Sequence, residues 1–189
     1  VEKSAAAVAL YLACLQAGAG FVPLNTAYTD AEVQYFLDDS QPALFVHDPA
    51  RNGIWAQSVA LGQDEASPFW AEALAQQPDL EIAPRASGDI AATCYTSGTT
   101  GRSKGAMISH GNMLSNAETL ISLWRFTPAD RLLHILPIFH VHGLFVALHC
   151  ALLSGAAIRF ERGFDVARAR ALLPLSTVMM GVPTHYTRQ

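Results

Sequence analysis

A run of ten residues, 96–105, concentrates side chains that can bind an anion. It reads Thr-Ser-Gly-Thr-Thr-Gly-Arg-Ser-Lys-Gly, with three glycines, five hydroxyls and two cations. Glycines let backbone N–H groups face a ligand without a Cβ in the way, hydroxyls donate further hydrogen bonds, and lysine neutralises negative charge. This composition predicts a loop that binds a polyphosphate. It is not a Walker loop, because Arg102 and Ser103 separate Gly101 from Lys104, and it does not match the dinucleotide fingerprint.

Apolar stretches around this loop predict the elements that hold it. Five of them are typical of strands: residues 90–95, 106–109, 132–136, 157–160 and 177–180. Helical patterns lie between most of them: residues 112–123, residues 143–153 with Ser154-Gly155 as the stop, and a helix that Asp165 caps. The alternation predicts an α/β fold of layered parallel-sheet βαβ architecture. The loop would then lie beyond the carboxyl end of a strand, where such sheets form pockets.

Weaker patterns predict the elements before the loop. In chain order they are a buried helix at 4–16, strands at 20–22 and 43–46, and a helix near 69–75 within a polar surface connection at 50–88. Thr29 and Glu32 have the spacing of a capping box, which predicts a further helix from there to about residue 37.

Composition excludes several classes of protein. The 189 residues are 51% hydrophobic and 15% charged, which is typical of a chain that packs a core. A net charge of -4 argues against binding to nucleic acid or to an anionic membrane. The apolar stretch 5–24 is interrupted before it reaches the roughly 20 residues of a membrane span. Three widely separated cysteines, Cys14, Cys94 and Cys150, indicate reduced thiols and a cytoplasmic protein.

The loop resembles the signature T-S-G-T-T-G-x-P-K-G of the adenylate-forming superfamily, which includes the acyl-CoA synthetases, and departs from it only at Ser103. Residues 15–25 are similar to the family's block L-x-A-G-x-x-x-V-P-L-N, and residues 136–143 to its block L-P-x-F-H-x-x-G. The resemblance implies that residues 1–189 are an incomplete N-terminal AMP-binding (adenylation) domain, without the C-terminal lid domain. The chain alone is therefore expected to be inactive.

The resemblance also implies a reaction. A carboxylate attacks the α-phosphorus of ATP, which gives an acyl adenylate and pyrophosphate, and the thiol of coenzyme A then displaces AMP. Mg²⁺ would share the charge of the phosphates. The residues expected to hold the β- and γ-phosphates are Thr96, Ser97, Gly98, Thr99, Thr100, Gly101 and Lys104, with Thr96 and Lys104 as the catalytic pair. No protein-bound metal is expected.

Within the superfamily, residues 124–127, 136–145 and 181–188 look most like malonyl-CoA synthetases. That resemblance implies malonate or methylmalonate as substrate, with His140 and Arg188 on the second carboxylate, for which the planar fork of arginine is well suited. A medium-chain, long-chain or aryl acyl-CoA ligase of the same superfamily is the alternative.

Three readings from other classes stay open. His140 and His142 would place two imidazoles on one face of an extended segment, as in a metal-dependent hydrolase. Ser97 could be a hydrolase nucleophile, although Thr-Ser-Gly is not G-x-S-x-G. The protein could also be a non-catalytic binding module that keeps the fold.

Overall fold

The computed structural model describes residues 1–51, 55, 57–62, 68–96 and 103–187. Helix α1 (Ala5–Gln16) begins after Ser4, whose hydroxyl accepts a hydrogen bond from the Ala7 N–H. Helix α2 (Asp30–Ser40) begins at the capping box of Thr29 and Glu32, as predicted, but continues beyond residue 37. The strand predicted at 20–22 is reduced to a single bridge between Phe21 and Ala92.

Two short parallel strands and a helix follow. Strand β1 (Phe45–His47) pairs with β2 (Ser58–Ala60), which lies within the predicted surface connection 50–88. Helix α3 (Pro68–Ala75) confirms the helix predicted near residues 69–75.

The strand before the predicted loop pairs with the strand after it. Strand β3 (Ile90–Thr96) and strand β4 (Lys104–Ser109) are antiparallel, with Thr96 opposite Lys104. The expectation of purely parallel βαβ units was wrong here, because the connection 97–103 is too short for the crossover that parallel strands require. Strand β4 also begins two residues before the predicted start. Lys104 is therefore the first residue of a strand and not part of the loop.

Helix α4 (His110–Trp124) follows β4 directly. Its N-cap is Ser109, which forms a second capping box with Asn112.

The C-terminal half contains the predicted parallel sheet. Its strands are β5 (Arg131–His134), β6 (Ala157–Phe160) and β7 (Val178–Met180), in the order β6-β5-β7. Helix α6 (Val166–Leu172) connects β6 to β7, and its N-cap is Asp165, as predicted. The apolar helix expected at 143–153 is a π-helix (His142–Leu148) continued by helix α5 (His149–Ser154). The last helix is α7 (Pro183–Thr187).

The segment formed by the π-helix and α5 joins the two halves of the core. Leu144, Phe145 and Leu148 pack under the β3–β4 hairpin together with Tyr11 of α1. Ala147, Cys150 and Ala151 pack on the other side, against the parallel sheet. Gly155 ends α5 with a φ of 73°, a conformation that favours glycine. In the described part of the chain, no helix is long and apolar enough to cross a bilayer.

Candidate active site

The β3–β4 hairpin places Thr96 and Lys104 next to each other at the base of the predicted loop. The two residues are cross-strand partners, and both are exposed. The Thr96 hydroxyl donates a long hydrogen bond of 3.4 Å to the Lys104 carbonyl oxygen. Within the described ranges, no hydrogen bond or ion pair engages the Lys104 ammonium. An exposed hydroxyl and an exposed ammonium on adjacent strand ends can bind an anion that lies across the hairpin.

A cleft of about 330 Å³ lies along β7 and extends past its carboxyl end to Gly181 and α7. Its described lining residues are Trp124, Phe126, His142, Val178, Met179, Met180, Gly181 and Tyr186. They come from three separate parts of the chain: the end of α4, the start of the π-helix, and β7 with α7. Five of the eight lining residues belong to the three stretches 124–127, 136–145 and 181–188, and the other three come from β7. The volume is suitable for a small molecule with an apolar part, and His142 supplies a polar group.

A second, larger cleft of about 1080 Å³ connects the hairpin with the turn that precedes the π-helix. Tyr95 and Gly105 line it from the hairpin, and Pro137, Ile138 and Phe139 line it from the turn. The hairpin that carries Lys104 and the block 136–143 therefore share one cavity.

His140 and His142 differ in environment. His140 is exposed in the turn, where its ring lies 4.5 Å from the ring of Phe139. His142 is half-buried at the start of the π-helix. The segment between them is not extended, because Val141 has helical angles of φ -48° and ψ -45°. The reasoning that placed both imidazoles on one face of an extended segment was therefore wrong. Among the residues that the structure describes, no group of three or more His, Cys, Asp or Glu could hold a metal ion.

His134, a buried histidine at the end of β5, forms a hydrogen bond with the π-helix. The Nε2–H of His134 donates a hydrogen bond of 2.8 Å to the Gly143 carbonyl oxygen, because a carbonyl can only accept. The proton therefore sits on Nε2, and Nδ1 is buried without a partner in the described structure. Burial, together with the nearby charge of Lys3, lowers the pKa of His134 to about 4. The imidazole is neutral at pH 7 and connects the end of β5 to the helix that follows.

The buried histidines predict a loss of stability in mild acid. Burial also lowers the pKa of His149 to about 4, against an ordinary value of 6.5. Below about pH 6.5 the unfolded chain takes up protons that the folded chain does not, so the free energy of unfolding falls as the pH falls towards 4. Above pH 6.5 both folded and unfolded chains hold these histidines neutral, so their full contribution to stability is present. We expect a loss on the order of 2 kcal/mol per imidazole at about pH 4.5, measured by thermal unfolding.

A matched pair of variants tests this origin of the acid sensitivity. His149→Gln keeps a polar group near the Tyr11 hydroxyl, which lies 2.8 Å from His149 Nε2, but removes the titration. It should lose less stability between pH 7 and about pH 4.5 than the unaltered protein. The control His140→Gln, at an exposed position, should lose as much as the unaltered protein. Equal losses in His149→Gln and the unaltered protein would show that protonation of His149 does not cause the acid sensitivity.

Comparison with known proteins identifies the family. Residues 1–188 match the family model described as AMP-binding enzyme. The chain belongs to this family. The resemblance to the adenylate-forming superfamily is thereby confirmed, and so is the α/β fold class, which agrees with solved structures of related enzymes.

Several members of the AMP-binding family are similar over nearly the whole chain. A malonate–CoA ligase from Arabidopsis thaliana is 34% identical over 209 residues, covering 99% of this chain and 34% of that protein. The crystal structure of ATP-bound MatB from Rhodopseudomonas palustris is 46% identical with a TM-score of 0.94, and the match covers 100% of this chain and 39% of that one. A malonyl-CoA ligase in a ternary product complex with methylmalonyl-CoA and AMP is 33% identical with a TM-score of 0.78, covering 94% of this chain and 37% of that one. The chain thus spans about a third of the length of the curated relative.

The structure describes some of the residues that the resemblance to AMP-binding enzymes assigns to function. It places Thr96 and Lys104 together and His140 in the exposed turn. Those that lie outside the described residues are Ser97, Gly98, Thr99, Thr100, Gly101 and Arg188.

Sequence reasoning considered His142 only as a possible metal ligand and missed that it lines the smaller cleft. The available signal was the position of His142 directly before the apolar run 143–148. The neighbours that make it a cleft residue, Phe126 and Met180, come from distant parts of the chain. Their proximity could not be read from the sequence.

Proposed function

We propose that the complete protein activates malonate or methylmalonate with ATP and transfers the acyl group to coenzyme A. The observation that carries this proposal is the smaller cleft. The three stretches most similar to malonyl-CoA synthetases are far apart in the sequence, yet residues from all three line one cavity of about 330 Å³. The relatives named as malonate–CoA ligases support the same substrate class.

The hairpin would bind the phosphates of ATP. Lys104 and Thr96 are exposed side by side, so their ammonium and hydroxyl groups can contact the same phosphate chain. We assign the β- and γ-phosphates to these two residues and to the intervening residues of the motif, and Mg²⁺ would accompany ATP and share its charge. The protein would act through position and charge, because attack of a carboxylate on the α-phosphorus needs no covalent intermediate with the enzyme.

The smaller cleft would bind the acyl part of the substrate. Its lining is mainly apolar, and a second carboxylate in such a site needs a partner that donates hydrogen bonds or carries positive charge. His140 and Arg188 remain the proposed partners of that carboxylate, and His142 is added to them because it lines the cleft. The reacting carboxylate would point towards ATP.

The second half of the reaction would use coenzyme A as the acceptor. Its thiol displaces AMP from the acyl adenylate, forming a thioester and releasing AMP. The proposed partners are therefore a small carboxylic acid, ATP and coenzyme A. We also propose a cytoplasmic location, which agrees with the free thiols of Cys14, Cys94 and Cys150.

Exchange of labelled pyrophosphate into ATP tests the function and the pocket together. The unaltered complete protein should catalyse exchange with malonate or methylmalonate, and more weakly with acetate, octanoate or an aryl acid. Arg188→Ala should raise the KM for malonate about 100-fold and the KM for propionate much less, because only malonate has a second carboxylate to lose its partner.

Arg170→Ala is the matched control, because Arg170 is an exposed arginine on α6. It should leave both KM values unchanged. Equal effects of Arg188→Ala on malonate and propionate would reject the dicarboxylate pocket. A preference of the unaltered protein for octanoate or the aryl acid would favour the alternative ligase, and a lack of exchange with every acid would reject the proposed function.

A further inference from the structure

Helix α2 contacts β3 and the residue immediately before β4 through polar side chains. The Tyr35 hydroxyl donates a hydrogen bond of 2.9 Å to the Ser103 carbonyl oxygen, immediately before β4. The Tyr95 hydroxyl, near the end of β3, donates one of 2.5 Å to Asp39. Tyr35 and Asp39 are four residues apart and therefore lie on the same face of α2. This face of α2 therefore contacts the chain on both sides of the loop, near the end of β3 and just before β4.

We propose that Tyr35 is a positioning residue for phosphate binding, acting on Lys104 through the Ser103 carbonyl. This inference rests on the proposed function of the hairpin. Tyr35 is outside the three motifs from which that function was argued.

The covalent geometry of the peptide bond explains how Tyr35 acts. The Ser103 carbonyl belongs to the same planar unit as the Lys104 N–H, so a hydrogen bond to its oxygen limits rotation of the whole unit. That rotation sets the direction in which the Lys104 side chain leaves the backbone. Serine at position 103 leaves φ free, whereas proline would restrict it, so an external contact has more to contribute here.

Helix α2 is held in place by its own N-terminal cap and by packing against the hairpin, so it can position Tyr35. Its first turn is held by the capping box at Thr29. Phe36, next to Tyr35, is buried, and its ring lies 4.5 Å from the ring of Tyr95. Partial burial and the hydrogen bond to Asp39 raise the pKa of Tyr95 to about 12, so its hydroxyl stays protonated and keeps donating. Tyr35 therefore extends from an element already attached to the hairpin.

Two tyrosine-to-phenylalanine variants of the complete protein separate positioning from packing. Tyr35→Phe removes the hydroxyl that holds Ser103 and keeps the ring. Tyr28→Phe is the control, because its ring lies 4.9 Å from that of Phe36, while its hydroxyl forms no hydrogen bond in the described structure. Tyr35→Phe should raise the KM for ATP in pyrophosphate exchange about fivefold, the loss expected for one hydrogen bond. The KM for malonate should stay within about twofold, and Tyr28→Phe should change neither.

Amide hydrogen exchange gives a readout that does not depend on activity. Peptides that cover β4 should exchange faster in Tyr35→Phe than in the unaltered protein, and at the unaltered rate in Tyr28→Phe. An unchanged KM for ATP, an equal rise in both KM values, or unchanged exchange in β4 would each overturn the role of Tyr35. If the unaltered protein shows no pyrophosphate exchange while β4 still loosens in Tyr35→Phe, the proposed function fails and the contact to Ser103 stands without a role in catalysis.

Discussion

Lys104→Ala should slow malonate-dependent exchange of pyrophosphate into ATP by about two to three orders of magnitude. Lys104 is exposed at the loop end of the hairpin, next to Thr96, where its ammonium can neutralise charge on the departing pyrophosphate. Loss of a group that stabilises developing charge typically costs about 100- to 1000-fold in rate. Both kcat and the KM for ATP should change, because the same ammonium is proposed to bind the phosphates of ATP before the reaction and to neutralise the pyrophosphate that leaves.

Lys104→Arg distinguishes charge from shape in the same assay. Arginine keeps the positive charge but spreads it over a planar group, so exchange should recover only in part. Arg170→Ala, which removes a cation from the exposed surface of α6, should exchange at the unaltered rate. Unaltered exchange in Lys104→Ala would exclude Lys104 from phosphate chemistry.

Gly143→Ala is expected to destabilise the protein by on the order of 3 kcal/mol or more. A Cβ at Gly143 would lie 2.1 Å from the Pro137 carbonyl oxygen and 3.2 Å from the Leu136 Cβ. Backbone cannot yield as a flexible side chain can, so the π-helix would have to move away from the turn. That movement would also displace the carbonyl that accepts from His134. The midpoint of thermal unfolding should fall by several degrees or more.

The control for this change is Gly163→Ala. A Cβ at Gly163 would meet nothing within 4 Å, and its φ is not in the left-handed region. Its unfolding midpoint should match that of the unaltered protein. Equal midpoints for the two alanine variants would show that the turn and the π-helix can separate at little cost. The glycine of the block 136–143 would then need an explanation other than close packing.

Local interactions explain which parts of the fold were predictable. The capping box of Thr29 and Glu32 lies within one turn of helix, so the start of α2 could be predicted from two side chains. The same holds for the Asp165 cap of α6 and for the stop at Gly155. The π-helix was not predictable from apolar periodicity, because the segment packs between two halves of the core formed by residues as distant as Tyr11 and Met180. The antiparallel pairing of β3 and β4 was missed because repeated alternation suggested crossovers.

The candidate site likewise has one part that the sequence predicted and another that it did not. The predicted phosphate motif is contiguous, so residue type and spacing alone predicted its chemistry and identified its family. The smaller cleft is assembled from residues as far apart as Trp124 and Tyr186, and the contact between Tyr35 and Ser103 joins residues 68 positions apart. Neighbours that far apart along the chain are brought together by packing of the core. The predicted chemistry of the loop therefore followed from the sequence itself, whereas the shape of the proposed acyl cleft and the contact between Tyr35 and Ser103 were decided by the tertiary structure.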